Sequence, residues 1–311
     1  MNSDISIGID IGGSHILAAG IDLRTEQIID RSRSYLSVDN KAEKGVILDR
    51  WAAAVNQCLK QLPAEEIKGI GMAITGPFNY QTGIAGFEGN DKYLSLYGCD
   101  VAKELKPRLQ QLDLPIRFIN DATAFAVGEA WLGQGRGHQR QIAITLGTGM
   151  GSAFIENGFP IVKRSDVPPH GSLWHLSWKD GIADASFSTR GCVNAYHKLS
   201  GQTLPGVREI AEAAHAGNPL AKQLFETFGA EIGQFLLPWL RKFNVDLLVF
   251  GGNIAKAHAL FFPALKNQLK VEELNCDLRL SELMEDAALI GAARCMDEPF
   301  WQQIQQELPV I

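Results

Sequence analysis

The stretch Phe118-Ile119-Asn120-Asp121-Ala122-Thr123-Ala124-Phe125-Ala126-Val127-Gly128-Glu129-Ala130-Trp131 decides how the chain is read. An apolar run of strand character, Ile116 to Ile119, meets an Asn-Asp pair, and small, helix-compatible residues follow directly. Asp121 is thereby placed at a strand-to-helix junction. Free N–H groups and the positive end of a helix dipole favour an ionised carboxylate there, which makes Asp121 an acceptor ready to take a proton. The plainer alternative is that Asn120 or Asp121 only caps the helix.

Residues Ile5 to Asp22 read as strand, glycine turn and strand, with Asp10 just before the turn at Gly12 and Gly13. The two glycines let the backbone approach a ligand closely, and Ser14 adds a hydroxyl and an N–H. Residues Gln141 to Gly158 repeat this plan around Gly147-Thr148-Gly149, so the chain contains two related halves. Two such turns, each pointing N–H groups and a hydroxyl at the same ligand, form a two-sided phosphate clamp.

Between these landmarks, apolar spacing predicts a helix from Lys41 to Leu62 and a buried strand from Ile67 to Ile74. That strand ends at Thr75-Gly76-Pro77, whose glycine can sit against a ligand. The segment Asn79 to Tyr97, with Glu88, Asn90 and Asp91, is a long loop that is either functional or merely surface. A short helix, Val101 to Gln111, leads back to the Asp121 strand, and a glycine-rich linker covers Gly133 to Gly137. Residues Val162 to Tyr196 show no sustained period. Helices follow at Val207 to Ala216 and Leu220 to Phe243, where Pro238 predicts a kink. The strand Val245 to Phe250 ends in Gly251-Gly252-Asn253, a junction where a flat ring or a phosphate can lie on the backbone. Ala287 to Cys295 and the segment with Trp301, Ile304 and Leu308 read as closing helices.

A chain of 311 residues, 46% hydrophobic and 21% charged, has room for two domains with separate cores. Its net charge of -6 and lack of a basic cluster argue against a nucleic-acid surface. The five cysteines are scattered and never spaced as Cys-x-x-Cys, consistent with reduced thiols. No leader pattern and no long apolar run is present, so a cytoplasmic protein without a membrane partner is expected.

In order along nearly the whole chain, Asp10-Ile11-Gly12-Gly13-Ser14, Gly76-Pro77, Asn120-Asp121-Ala122, Gly147-Thr148-Gly149-Met150-Gly151 and Gly251-Gly252-Asn253 resemble the ROK family of bacterial sugar kinases and repressors. That family lies within the group sharing the actin and hexokinase type of ATPase fold. The resemblance implies an α/β protein with two ribonuclease-H-like domains around a cleft, 1–121 with about 291–311 and 122–290. It implies ATP as phosphoryl donor, with Gly12, Gly13, Ser14, Gly147, Thr148, Gly149, Gly251, Gly252 and Asn253 at the nucleotide, and Asp10 holding Mg²⁺ directly or through water. Asp121 would be the general base. Thr75, Gly76, Asn90, Asn120, Asp121, Ser172, His175 and Asn194 would face the sugar, and a homodimer is the implied assembly.

The departures are concentrated in the second half. Ser172 and Trp174 stand where the family's Glu-x-Gly-His element has glutamate and glycine, although His175 is kept. Asn194 replaces a second sugar-binding glutamate. Of the three cysteines of the family's zinc element, only Cys192 remains, so no zinc site is expected. His15 replaces a residue that is usually Lys, and Thr75 one that is usually Pro. The reading is an ATP- and Mg²⁺-dependent kinase of a hexose or related sugar, with glucose as default. The alternative is a noncatalytic sugar- or nucleotide-binding regulatory protein on the same fold. A repressor's helix-turn-helix module is not expected, because Asp10 is reached almost at once. A chaperone-like or cytoskeletal ATPase is disfavoured by the chain's length.

Overall fold

The computed structural model describes residues 4–88, 92–111 and 113–308. The chain begins with an antiparallel meander, β1 (Ile5–Ile11), β2 (His15–Asp22) and β3 (Gln27–Ser37). Helix α1 (Lys44–Leu59) leads into β4 (Ile67–Ile74), which lies parallel to β1 with Asp10 opposite Ala73. A small hairpin, β5 (Phe78–Asn79) and β6 (Ile84–Ala85), and helix α2 (Val101–Leu105) precede β7 (Ile116–Asn120). Strand β7 pairs with β4 in parallel, Asn120 opposite Ile74, and runs straight into α3 (Asp121–Leu132). The resulting sheet has the order β3-β2-β1-β4-β7.

The plan then repeats. Strands β8 (Arg140–Leu146), β9 (Met150–Glu156) and β10 (Phe159–Pro160) form a second meander. A two-stranded hairpin, β11 (Ser177–Trp178) and β12 (Gly181–Ile182), is followed by helices α4 (Ala183–Ser186), α5 (Thr189–Ser200), α6 (Val207–His215) and α7 (Pro219–Phe243). Strand β13 (Leu247–Gly251), helix α8 (His258–Val271) and strand β14 (Asp277–Leu280) complete a sheet of order β10-β9-β8-β13-β14. Helices α9 (Asp286–Arg294) and α10 (Glu298–Ile304) end the chain.

Two compact units result, Met1–Leu132 with Glu285–Ile311, and Gly133–Met284. These divisions differ from the 121/122 and 290/291 boundaries expected from the sequence. The reason is packing: α3 and α9 lie backbone against backbone. A Cβ placed on Gly128 would overlap the Ala287 carbonyl oxygen, and one on Gly291 would overlap that of Ala124. Helix α9 is equally close to the sheet, since Gly8 and Gly71 face the carbonyls of Leu289 and Ala292. Only glycine allows such an approach, so α3 and the whole of α9 belong with the first sheet.

Strand β3 carries little apolar signal because its two fully buried positions are serines. Ser32 and Ser34 are buried, and each is satisfied: Ser32 Oγ donates to Ile29 O at 2.6 Å and accepts from Gly20 N at 2.8 Å, and Ser34 Oγ donates to Gln57 Oε1 at 2.8 Å. The helix expected to reach Gln111 stops at Leu105, where a 3₁₀ turn containing Pro107 takes over. Helix α7 runs through Pro238 to Phe243 without a break. The segment expected to lack periodicity contains α5, started by Ser188, whose Oγ accepts from Gly191 N at 3.3 Å.

Candidate functional site

In the first unit, the candidate residues gather at the carboxyl ends of the parallel strands β1, β4 and β7, the edge where α/β sheets present ligand-binding loops. Asn120 is the cap of α3: its Oδ1 accepts from Thr123 N at 3.1 Å and from Thr123 Oγ1 at 3.3 Å. Its Nδ2 donates to Asp121 Oδ1 at 2.9 Å and to Tyr80 Oη at 3.2 Å. Tyr80 in turn donates to Ile74 O at 3.0 Å, which ties the end of β4, and hence Thr75 and Gly76, to the Asn-Asp pair.

With Asn120 as the cap, Asp121 is released from that duty. Its Oδ1 accepts from Ala122 N at 2.9 Å as well as from Asn120, while Oδ2 receives no hydrogen bond among the described residues. Asp121 retains some exposure, yet its carboxyl is desolvated, and this burial raises its pKa above the ordinary carboxylate range. Hydrogen bonding and the charge of Lys92 act in the opposite direction. Asp10 is pushed up to about 7, first by burial and then by the like charges of Asp121 and Glu285.

The Gly12-Gly13 turn beside Asp10 is held by its carbonyls. Tyr93 Oη donates to Gly12 O at 2.7 Å, and Asn40 Nδ2 donates to Gly13 O. Gly12 N is used within the hairpin, donating to His15 O at 3.0 Å, but the N–H groups of Gly13 and Ser14 make no hydrogen bond among the described residues. His15 is a packed hairpin side chain, its ring stacked on Tyr35 at 5.1 Å. Asn90 lies outside the described residues, as does Asp91.

The donor set around Asp10 suits a hydrated divalent cation. Asp121 and Glu285 both act on Asp10, yet among the described residues no three acidic, histidine or cysteine groups stand close enough to form a cage of protein ligands alone. Magnesium is characteristically held by one or two carboxylates, with water and phosphate oxygens completing the shell.

In the second unit, the Gly147-Thr148-Gly149 turn is anchored from behind. Gly147 O accepts from Thr189 N at 2.8 Å and from Thr189 Oγ1 at 2.9 Å, and Met150 N donates to Asp184 Oδ1 at 2.7 Å. Thr148 and Gly149 are left exposed at the tip. Gly252, at φ 84°, packs on the backbone of Leu146, so the Gly251-Gly252-Asn253 junction abuts this same turn. The Asn253 side chain is engaged by Lys256 Nζ at 2.8 Å.

The altered loop is fastened to the same framework. Leu173 N donates to Ser152 Oγ at 2.8 Å, and Asp184 N donates to Trp174 O at 3.0 Å. Asp184 therefore joins the glycine turn to the Ser172–His175 loop. Ser172 Oγ and His175 Nε2 are both buried without a hydrogen-bond partner among the described residues. Burial, followed by the proximity of His170, lowers the His175 pKa and favours the neutral ring. Trp174 is 41% exposed, and Asn194 is exposed on α5.

Where the resemblance would place zinc ligands there is an aromatic cluster. Phe187, 1% exposed, meets Trp178, Phe228 and Phe235 with ring centroids 5.9, 5.7 and 5.4 Å away. Cys192 is buried in the same apolar core, and burial pushes its thiol up to about 12. Lys92, Tyr80, Tyr93, Asp184 and Glu285 were missed by the sequence reading. None stands in a glycine motif, and only the fold brings them to one.

Two sheets of one repeated plan, each opening with a glycine-turn hairpin, define an α/β protein of the actin and hexokinase type. The chain belongs to the ROK family, which it matches over residues 6–298. It is 25% identical over 321 residues to a glucokinase of Thermotoga maritima, covering 94% of this chain and 97% of that protein. It is also 22% identical over 315 residues to the xylose repressor of Bacillus subtilis, covering 96% of this chain and 78% of the repressor. A ROK family glucokinase from Streptomyces griseus, solved in complex with glucose and AMPPNP, superimposes with a TM-score of 0.71 at 23% identity, covering 93% of this chain and 98% of that one. No helix among the described residues is long and apolar enough to cross a membrane.

Proposed function

We propose that this protein is an ATP-dependent kinase of a hexose or related sugar. The observation that carries the reading is the division of labour at Asn120-Asp121: asparagine caps the helix, which leaves Asp121 with an uncommitted oxygen at a ligand-binding edge. In this reading Asp121 accepts the proton of a sugar hydroxyl as that oxygen attacks the terminal phosphorus of ATP. The hydroxyl oxygen gains the P–O bond, and the bond to the bridging oxygen breaks to give ADP. Phosphoryl transfer asks the protein chiefly for positioning and charge neutralisation.

The N–H groups of Gly13 and Ser14 in one unit, unpaired among the described residues, and the Thr148-Gly149 tip in the other, suit phosphate oxygens. Gly251, Gly252 and Asn253 suit the rest of the nucleotide. Asp10 would hold Mg²⁺, whose charge when bound offsets that of the phosphates. Thr75, Gly76, Asn120 and Asp121 in the first unit, and Ser172, His175 and Asn194 in the second, are assigned to the sugar. Glucose is the default substrate, supported by the names of the glucokinase relatives.

A second reading, a noncatalytic sugar- or nucleotide-binding regulator, is favoured by the replacement of both expected sugar-binding carboxylates by Ser172 and Asn194 and by the match to a repressor. The deciding experiment is ADP formation from ATP and Mg²⁺ across hexoses, amino sugars, N-acetyl sugars and polyols, with Asp121→Ala as control. Sugar-dependent ADP that the variant abolishes supports the kinase. Ligand-induced stabilisation without turnover supports the regulator.

A further inference from the structure

Lys92 lies in the loop that leads away from the small β5–β6 hairpin, and nothing in its local sequence marks it. The fold nevertheless brings it to the first glycine turn. A Cβ built on Gly13 would lie 3.0 Å from Lys92 Cε and 3.1 Å from Nζ, so the end of the side chain covers the face of that residue. Its neighbour fixes this placement. Tyr93 takes a left-handed conformation at φ 57°, donates its backbone N–H to Asn40 O at 2.9 Å, and donates its hydroxyl to Gly12 O at 2.7 Å. Asn40 also bonds Gly13 O, so a single knot of residues holds both the turn and the base of Lys92.

The ammonium itself is uncommitted. Lys92 is half-buried and closes no ion pair among the described residues, although it is near enough to Asp121 to stabilise that carboxylate. Around it, the Gly13 and Ser14 N–H groups also lack partners among the described residues. Three neighbouring donors without acceptors among the described residues, one of them the half-buried lysine ammonium, form a site that an anion would complete. Asp121, Asp10 and Glu285 supply the negative charge nearby, so a compact, multiply charged ligand accompanied by a cation fits better than a simple carboxylate.

We propose that Lys92 binds the terminal phosphoryl group of ATP over the Gly13-Ser14 turn. This assignment rests on the kinase reading for its role in turnover, but its binding component stands apart from catalysis. As the sugar oxygen forms its bond to phosphorus and the bridging P–O bond breaks, negative charge moves on to oxygens that Lys92 faces, and the hydroxyl proton goes to Asp121. The lysine thereby serves the donor and the base together.

The test compares ATP and ADP binding by calorimetry, with and without Mg²⁺, in the unaltered protein, Lys92→Met and Lys92→Arg, alongside turnover. Met keeps the aliphatic stem and removes the charge. Lys92→Met should lose roughly tenfold or more in ATP affinity, as expected for one charge-assisted hydrogen bond, while ADP affinity changes little. Lys92→Arg should recover most of the preference for ATP. An unchanged ATP-to-ADP affinity ratio in Lys92→Met overturns the proposal, even if the protein is an active kinase. Conversely, a collapsed ratio in a protein that phosphorylates no sugar keeps the phosphate site and rejects the kinase reading. If neither nucleotide binds to the unaltered protein, both are rejected.

Discussion

Asn120 Nδ2 donates to Asp121 Oδ1 over 2.9 Å while Asn120 Oδ1 caps α3 through Thr123 N, so adjacent polar residues hold separate roles. Asp121→Asn should therefore keep the fold, because the cap is untouched, and lose about 10²–10⁴ in sugar-dependent turnover, the usual contribution of a positioned base. Asn120→Ala should behave differently, costing about 0.5–2 kcal/mol of stability through the lost cap and also impairing turnover. Thermal unfolding and ADP formation on both variants separate the roles; equal turnover in Asp121→Asn and the unaltered protein would remove Asp121 as the base.

Asp10 gives a pH prediction. Its pKa is about 7 in the folded, metal-free protein against an ordinary 3.8, so the folded state binds more protons than the unfolded state between those values. The contribution to stability is fully present below about 4 and is lost as pH rises through about 7. Metal-free protein should thus lose stability across that window, and Asp10→Asn should flatten the loss. Saturating Mg²⁺ should do likewise near pH 7 if Asp10 is its ligand. A variant whose stability follows the same slope as the unaltered protein would contradict this.

The pair Gly71 and Gly45 tests the packing of α9. A Cβ on Gly71 would run into the Ala292 carbonyl oxygen, whereas one on Gly45, in the first turn of α1, meets nothing within 4 Å. Gly71→Ala should destabilise by at least about 1–3 kcal/mol, the common cost of overpacking. Gly45→Ala should stabilise by about 0.4–1 kcal/mol, since the unfolded chain loses freedom and the helix gains propensity. Denaturant midpoints for the two variants should move in opposite directions.

The Phe187 cluster predicts stability without zinc. Rings of Trp178, Phe228 and Phe235 enclose Phe187, and Cys192 is buried with its thiol pushed up to about 12, so the donor set does not suit a zinc cage. A strong chelator should leave the melting temperature unchanged, and Phe187→Ala should cost about 3–5 kcal/mol. Stoichiometric zinc in the purified protein, or chelator-induced unfolding, would contradict this account.

Much of this architecture is legible in the sequence, for identifiable reasons. The two hairpins announce themselves by apolar strands around glycine pairs, and the Asn-Asp junction by a change of period. Strand β3 is nearly silent because its two fully buried positions are Ser32 and Ser34, which are satisfied by long-range bonds. The domain boundary is misplaced because backbone contact between α3 and α9, set by Gly128 and Gly291, carries no periodic signal. Lys92 and Asp184 are invisible for a related reason: their contacts reach the glycine turns from distant parts of the chain.

Ser172 offers a test in which stability and binding should part company. Its hydroxyl is buried and unpartnered, as is His175 Nε2 in the same loop. A buried hydroxyl left without a partner costs about 1–3 kcal/mol, so removing it should not destabilise the protein. Ser172→Ala is therefore expected to match or exceed the unaltered protein in stability. If the two orphaned atoms await sugar hydroxyls, the same variant should raise KM for the sugar by roughly tenfold, one lost hydrogen bond, while KM for ATP stays put. Asp184→Ala should instead affect both substrates, since Asp184 fastens the glycine turn through Met150 N and the sugar loop through Trp174 O. An unchanged sugar KM in Ser172→Ala would show that its hydroxyl does not face the substrate, and would leave His175 to carry recognition in this loop.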